Sequence, residues 1–143
     1  MRAVAAVVIL WAGTSAPAIA TECVESPFYG VAGIVEGRIS AVKQTSRRLL
    51  FWGSNDWEVQ VVSIRPVAGN VSPRQFTYYA SDYSDFCTTG AARPRIGQVR
   101  LFAVKKPWKY SRRANAYQAN LAMTWSEYRR LQTLFDPLAY ADD

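Results

Sequence analysis

Residues 29–42 read Tyr-Gly-Val-Ala-Gly-Ile-Val-Glu-Gly-Arg-Ile-Ser-Ala-Val, and this stretch constrains the fold more than any other. Val31, Val35 and Ile39 share one face with Gly33 and Gly37 between them, while Glu36, Arg38 and Ser40 take the other. A period of two means a half-buried strand, because successive side chains point to opposite faces. Glycines inside a strand permit sharp bending and close approach of a second backbone. A long first strand that coils in this way suits a small barrel, in which one sheet must curl onto itself.

Four more segments continue the β pattern. In residues 57–67, Trp57, Val59 and Val61 oppose Glu58 and Gln60. The alternation then switches to Val62 and Ile64, which predicts a bulge near Val62, and Pro66 is expected to stop the strand. Residues 75–80 are rich in Phe and Tyr, as strands favour. Residues 97–105 set Val99, Leu101 and Ala103 against Arg100, Phe102 and Val104, and residues 116–123 put Tyr117, Ala119, Leu121 and Met123 on one side. Between the first two strands, residues 43–55 are basic and polar around Leu49-Leu50-Phe51-Trp52, ending in a Gly53-Ser54-Asn55-Asp56 turn.

The C-terminal part differs in kind. Thr124-Trp125-Ser126-Glu127 matches a capping box. Trp125, Tyr128, Leu131 and Phe135 recur at helical spacing until Asp136-Pro137 ends the pattern. The expected fold is therefore mainly β: a small five-stranded OB-like barrel with a C-terminal amphipathic helix over 125–135 docked on it. No internal repeats are visible.

The N-terminus reads as a secretory signal peptide over residues 1–20. Met1-Arg2 is followed by an apolar run from Ala3 to Ala12 and an Ala18-Ile19-Ala20 cleavage site. Cleavage after Ala20 would leave a single domain over residues 21–143, periplasmic or secreted. Glu22 directly before Cys23 argues against a lipid anchor, and no later stretch is apolar for long enough to span a bilayer. In an oxidising compartment the only two cysteines, Cys23 and Cys87, are expected to pair. The loop they close is worth about 4 kcal/mol in the chain-entropy model.

Composition narrows the chemistry. The chain carries no histidine. A Ser-His-Asp triad, a Cys-His dyad and most transition-metal sites are thereby excluded. Ser111 beside Lys109 is a poor Ser-Lys pair in a basic loop. Asp82 and Asp85 share one loop rather than facing each other, and read as a solvated turn. Gly30, Gly33 and Gly37 follow a strand pattern and form no phosphate-binding loop. No catalysis, metal or cofactor is expected. The formal net charge is +6. No acid lies between Asp85 and Glu127, and this basic stretch contains Lys105, Lys106, Trp108, Lys109, Tyr110, Arg112 and Arg113. Cations could pair with anionic groups there while Trp108 and Tyr110 add flat contact area. The equally open alternative is a hairpin whose aromatics pack inward.

Three runs resemble the order seen in netrin-like domains, the group that includes the tissue inhibitors of metalloproteinases and bacterial secreted relatives. They are Gly33-Ile34-Val35-Glu36-Gly37-Arg38-Ile39, Trp57-Glu58-Val59-Gln60-Val61-Val62 leading into Val67-Ala68-Gly69, and Phe86-Cys87 followed by Gly97–Ala103. The resemblance implies an OB-like barrel with an N-terminal cysteine tied to it. The inhibitory mechanism does not carry over, because Thr21-Glu22 would precede Cys23, whereas those inhibitors start at the chelating cysteine. The expected function is a secreted or periplasmic binding or accessory module for an anionic envelope component, glycan or protein. The alternatives are a single-stranded nucleic-acid-binding OB domain, which export disfavours, and a metalloprotease inhibitor.

Overall fold

The computed structural model describes residues 26–84, 90–107 and 116–139. Five strands and one helix follow in order: β1 Val31–Ser46, β2 Asp56–Gly69, β3 Gln75–Ser81, β4 Val99–Lys105, β5 Gln118–Met123 and α1 Trp125–Gln132. The strands close into a barrel in the order β1-β2-β3-β5-β4, with β4 returning to β1. All pairings are antiparallel except β3 with β5. This is the closed five-stranded arrangement expected from the sequence, with the short C-terminal helix beside it.

β1 makes the closure possible. Its first half pairs with both β2 and β4, so it must bend sharply, and its two interior glycines leave room for the bend. A Cβ at Gly33 would lie 2.6 Å from the Val71 carbonyl oxygen, and one at Gly37 would lie 2.5 Å from Val61 Cγ1. Bulges add the remaining curvature. Opposite β1, β2 carries an extra residue at Ile64 and another at Val67; further along, β1 carries extra residues at Ser40 and Thr45. The expected bulge near Val62 therefore lies at Ile64, and Val62 and Ile64 both point to solvent.

Pro66 does not end β2. It pairs with Val35, and the strand runs on to Gly69. Beyond Val62, β2 has left the β3 ladder, and Pro66 adjoins the Val67 bulge. Proline lacks the N–H a central strand must donate, and an edge beside a bulge is where a strand tolerates that loss.

The alternating strands bury two cores rather than one. Val35, Ile39, Val59, Val61, Phe102, Val104 and Ala119 fill the barrel, with Phe102 edge-on to Phe76 and Tyr78 at 5.4 Å each. The opposite faces of β1 and β4 supply Ile34, Leu101 and Ala103 to a second cluster with Phe28, Met123 and Tyr128. β4 therefore shows no polar face over Leu101–Val104, all of which are buried. β5 departs from simple alternation for a local reason. Asn120 is bulged out between Ala119 and Leu121. Ala119 and Ala122 consequently join the barrel interior, while Leu121 and Met123 join the cluster under the helix.

The capping box forms as the sequence predicts. Glu127 N donates to Thr124 Oγ1 at 3.2 Å, and Thr124 N donates to Glu127 Oε2 at 2.7 Å. The helix closes at Gln132, earlier than the expected Phe135, although Phe135 still bonds back to Leu131 and packs on the second core. Tyr128 is its buried anchor. At its first turn, Trp125 Nε1 donates to Glu36 Oε1 at 3.1 Å, and Arg65 Nε donates to Glu36 Oε2 at 2.5 Å. Arg65 also lies 5.6 Å from the Trp125 ring centre. These two donors hold the Glu36 carboxyl below the ordinary carboxylate range, Arg65 first and then Trp125.

Candidate interaction surface

β1 is longer than its partner on one side. The β4 ladder stops at the Arg38–Val99 pair, and Gln98 and Gly97 bond Ile39 just beyond it. From Ser40 onward β1 continues with β2 alone, and β2 in turn is backed by β3. β1 still lines the barrel there, with Val42 packed on its core opposite Val59; the hairpin arm that projects from the wall lies between Ser46 and Asp56, and its apex is the Leu49-Leu50-Phe51-Trp52 run. Leu49 and Trp52 donate to each other's carbonyls at 3.2 and 3.0 Å, closing a two-residue turn over Leu50 and Phe51.

All four apolar side chains face solvent: Leu49 is 74%, Leu50 88%, Phe51 94% and Trp52 82% exposed. A lone exposed leucine is ordinary, but four consecutive large apolar residues at a loop apex are not. The backbone there is also unusual. Leu50 has φ 55°, the only positive φ outside glycine among the described residues. Tight hairpins that put positive φ at their first central position normally use glycine there. For a branched side chain that conformation is unfavourable by about 1–2 kcal/mol.

The neck of the arm is tied by polar contacts. Asp82 accepts from Asn55 N at 2.8 Å, Asn55 Nδ2 at 2.6 Å and Arg48 Nη2 at 3.3 Å. Asn55 side-chain and backbone donors, with Arg48 behind them, keep the Asp82 carboxyl below its usual range. Asn55 Oδ1 in turn accepts from Arg48 N and Gln44 Nε2, and Arg48 Nε donates to the Gly53 carbonyl at 3.2 Å. The solvated-turn reading of Asp82 is therefore corrected: it is the carboxylate that fastens the loop after β3 to the hairpin. The exposed Arg48–Asp82 pair adds little stability by itself. Its effect is positional, fixing the base from which the apolar apex projects.

Between Ser40 and Asn55 the chain carries Lys43, Arg47 and Arg48 and no acid. All three cations are exposed. The apex is thus apolar and is flanked by Arg47 and Arg48, Arg48 being paired with Asp82, while Lys43 stands opposite Glu58 further back in the barrel wall.

Of the basic segment singled out by the sequence, Lys105 ends β4, half-buried between Val31 and Gln118, and Lys106 is exposed just after it. Trp108, Lys109, Tyr110, Arg112 and Arg113 lie outside the described residues, as do Cys23, Cys87, Asp85 and residues 1–20, which the sequence reads as a signal peptide. Lys105 pairs with the first residue of β1, whereas the apolar apex follows the last, so the two segments belong to opposite ends of that strand. Sequence reasoning noted the Leu49–Trp52 run without assigning it a role. The available signal was four large apolar residues set between Arg47-Arg48 and a Gly-Ser-Asn turn, where a hairpin tip should be polar.

The described surface also carries open concavities. One of roughly 400 Å³ lies between Val62, Ile64, Arg65 and Arg74. Another, of roughly 200 Å³, is bordered by Glu36, Arg100 and Trp125. Glu36 in the second is already committed to Arg65 and Trp125. No group of three or more metal-ligating side chains occurs among the described residues, and no helix there is long and apolar enough to cross a membrane. Compared with family models, with curated proteins and with solved structures, the chain matches none.

Proposed function

We propose that this protein is a non-catalytic binding module, exported to the periplasm or beyond, that engages an anionic partner through loops carried on a rigid barrel. The observation that carries this reading is the hairpin arm: an apolar apex, flanked by Arg47 and Arg48, presented to solvent on a tied neck. Exposed apolar patches of this kind mark contact sites more often than they serve stability. The basic segment from Lys105 to Arg113 supplies a second cationic surface in the same reading, and the net charge of +6 favours attraction to polyanions.

The test is retention on an immobilised polyanion and capture by native envelope material, each read as salt is raised. Replacing Lys105, Lys106, Lys109, Arg112 and Arg113 by serine is expected to lower retention severalfold. Retention that is absent at low salt, or unchanged by the replacements, refutes the reading. The OB-like strand order favours one rival, a single-strand nucleic-acid binder that stacks bases on Trp108 and Tyr110. Filter binding distinguishes it, through a salt-sensitive complex with single strands that is lost on Trp108→Ala and Tyr110→Ala.

A further inference from the structure

From the arm's geometry we infer that its apex inserts into the interfacial region of an anionic phospholipid bilayer, with Arg47 and Arg48 seated at headgroup level. The inference rests on the anionic-partner reading and names that partner. Three observations carry it. The apex is convex: Leu50 and Phe51 cap a two-residue turn and are 88% and 94% exposed. A convex apolar point finds few complementary protein surfaces, whereas a fluid acyl phase receives it without shape matching. Its residue order also fits the depth profile of a bilayer. Leu50 and Phe51 lie at the very tip, and Leu49 and Trp52 come one step back, Trp52 with a polar N–H and large ring that favour the interface. The cations Arg48 and Arg47 come next along the arm, where phosphate groups would meet them. Arg48 is also held by the Gly53 carbonyl and Asp82, so its guanidinium is positioned before any lipid arrives.

The third observation is the backbone at Leu50. Its φ of 55° keeps a branched apolar side chain at a site that glycine would fill more readily. Strain of this kind at an exposed loop tip points to a contact the side chain makes. The hairpin is anchored by the Leu49–Trp52 pair and the Asn55–Asp82 bonds, so little ordering remains to be done on binding.

The experiment is vesicle flotation with the exported chain, residues 21–143, using phosphatidylcholine vesicles with and without phosphatidylglycerol. Wild-type protein is expected to float with the mixed vesicles and weakly with the neutral ones, the difference shrinking as salt is raised. Phe51→Ser alone should lower partitioning severalfold, and Leu50→Ser with Phe51→Ser by at least about tenfold, with an unchanged far-ultraviolet circular dichroism spectrum. Bromine-labelled acyl chains should quench tryptophan emission in the wild type, and Trp52→Phe should abolish most of that quenching. Absence of flotation with either vesicle overturns the inference, as does equal flotation of the folded double variant. Capture of an envelope protein through the apex, with vesicles left unbound, also overturns it and marks a protein occupant instead. Retention on the polyanion without vesicle binding refutes the lipid inference and leaves the broader reading standing; loss of both refutes both.

Discussion

Gly37 faces a tightly packed barrel interior, and replacing it by alanine tests how β1 and β2 fit there. A Cβ on residue 37 would fall 2.5 Å from Val61 Cγ1 and 3.3 Å from both Phe102 Cδ2 and the Val62 carbonyl oxygen. Val61 is fully buried and β-branched, so it has one strongly favoured rotamer and cannot swing aside. Overpacking of this kind destabilises by about 1–3 kcal/mol. Val61→Ala alone removes two buried carbons and leaves a void, a loss of roughly 2 kcal/mol. The new methyl at 37 points into that void, so the double variant should be more stable than the sum of the single losses predicts, by about 1–2 kcal/mol. Urea denaturation at constant m-value gives all four stabilities. Compensation will be incomplete, because Phe102 and the Val62 carbonyl stay in place. Losses that add to within about 0.5 kcal/mol would show that Val61 is not what excludes a side chain at 37. Gly33→Ala is the contrasting case: its obstacle is the Val71 backbone carbonyl, which no single side-chain truncation removes.

Four further outcomes are expected. Thr124→Ala should reduce thermal stability by about 1 kcal/mol, since the N-cap hydroxyl serves Glu127 N and the reciprocal Glu127 bond loses its setting. Glu36 is depressed in the folded state, so its contribution is complete above the ordinary carboxylate pKa of about 4 and fades as pH falls through the lower folded value. The Trp125 indole N–H resonance should shift over that acidic window, and Glu36→Gln should remove the pH dependence. Asp82 carries the same sign, so acidification below pH about 4 should lower the protection factor for amide exchange at Asn55, whose N–H donates to it, before the barrel melts. Leu50→Gly should leave stability within about 1 kcal/mol, because relief of the positive-φ strain offsets the greater freedom of the unfolded chain. Vesicle flotation should nevertheless drop.

The sequence exposed the fold where periodicity was strict. Val35 and Ile39 with Gly37 between them announce a coiled strand, and Thr124 with Glu127 announces a helix start, both as expected; Val31 does not share their face, because an extra residue at Ala32 opposite β4 turns it into the second core. It misled where one extra residue reset the alternation. Asn120 flips Leu121 and Met123 away from the barrel interior, and a bulge leaves no mark in hydrophobicity because the bulged residue is simply polar. Pro66 misled for the opposite reason: its ring is a strong local stop signal, yet tertiary context supplies an edge where the missing N–H does no harm. The second core was invisible as a core, because Ile34, Leu101 and Ala103 become buried only once α1 and Phe28 cover them. The apex was legible as residues and not as a site. Four apolar side chains in a row look like hydrophobic content until their exposure is known.

That exposure separates the demands of folding from those of contact. The barrel wall uses β1 to about Gln44, since Val42 packs on the barrel core and pairs with Val59. A short glycine turn soon afterwards would have sufficed to reverse the chain. Instead an arm lies between Ser46 and Asp56, the loop after β3 ties its neck through Asp82, and Leu50 occupies a conformation suited to glycine. None of Leu49, Leu50, Phe51 or Trp52 contributes to either hydrophobic core. Their burial therefore yields nothing to the isolated fold, and their exposure lowers solubility. The arm makes energetic sense when these side chains leave water against a partner.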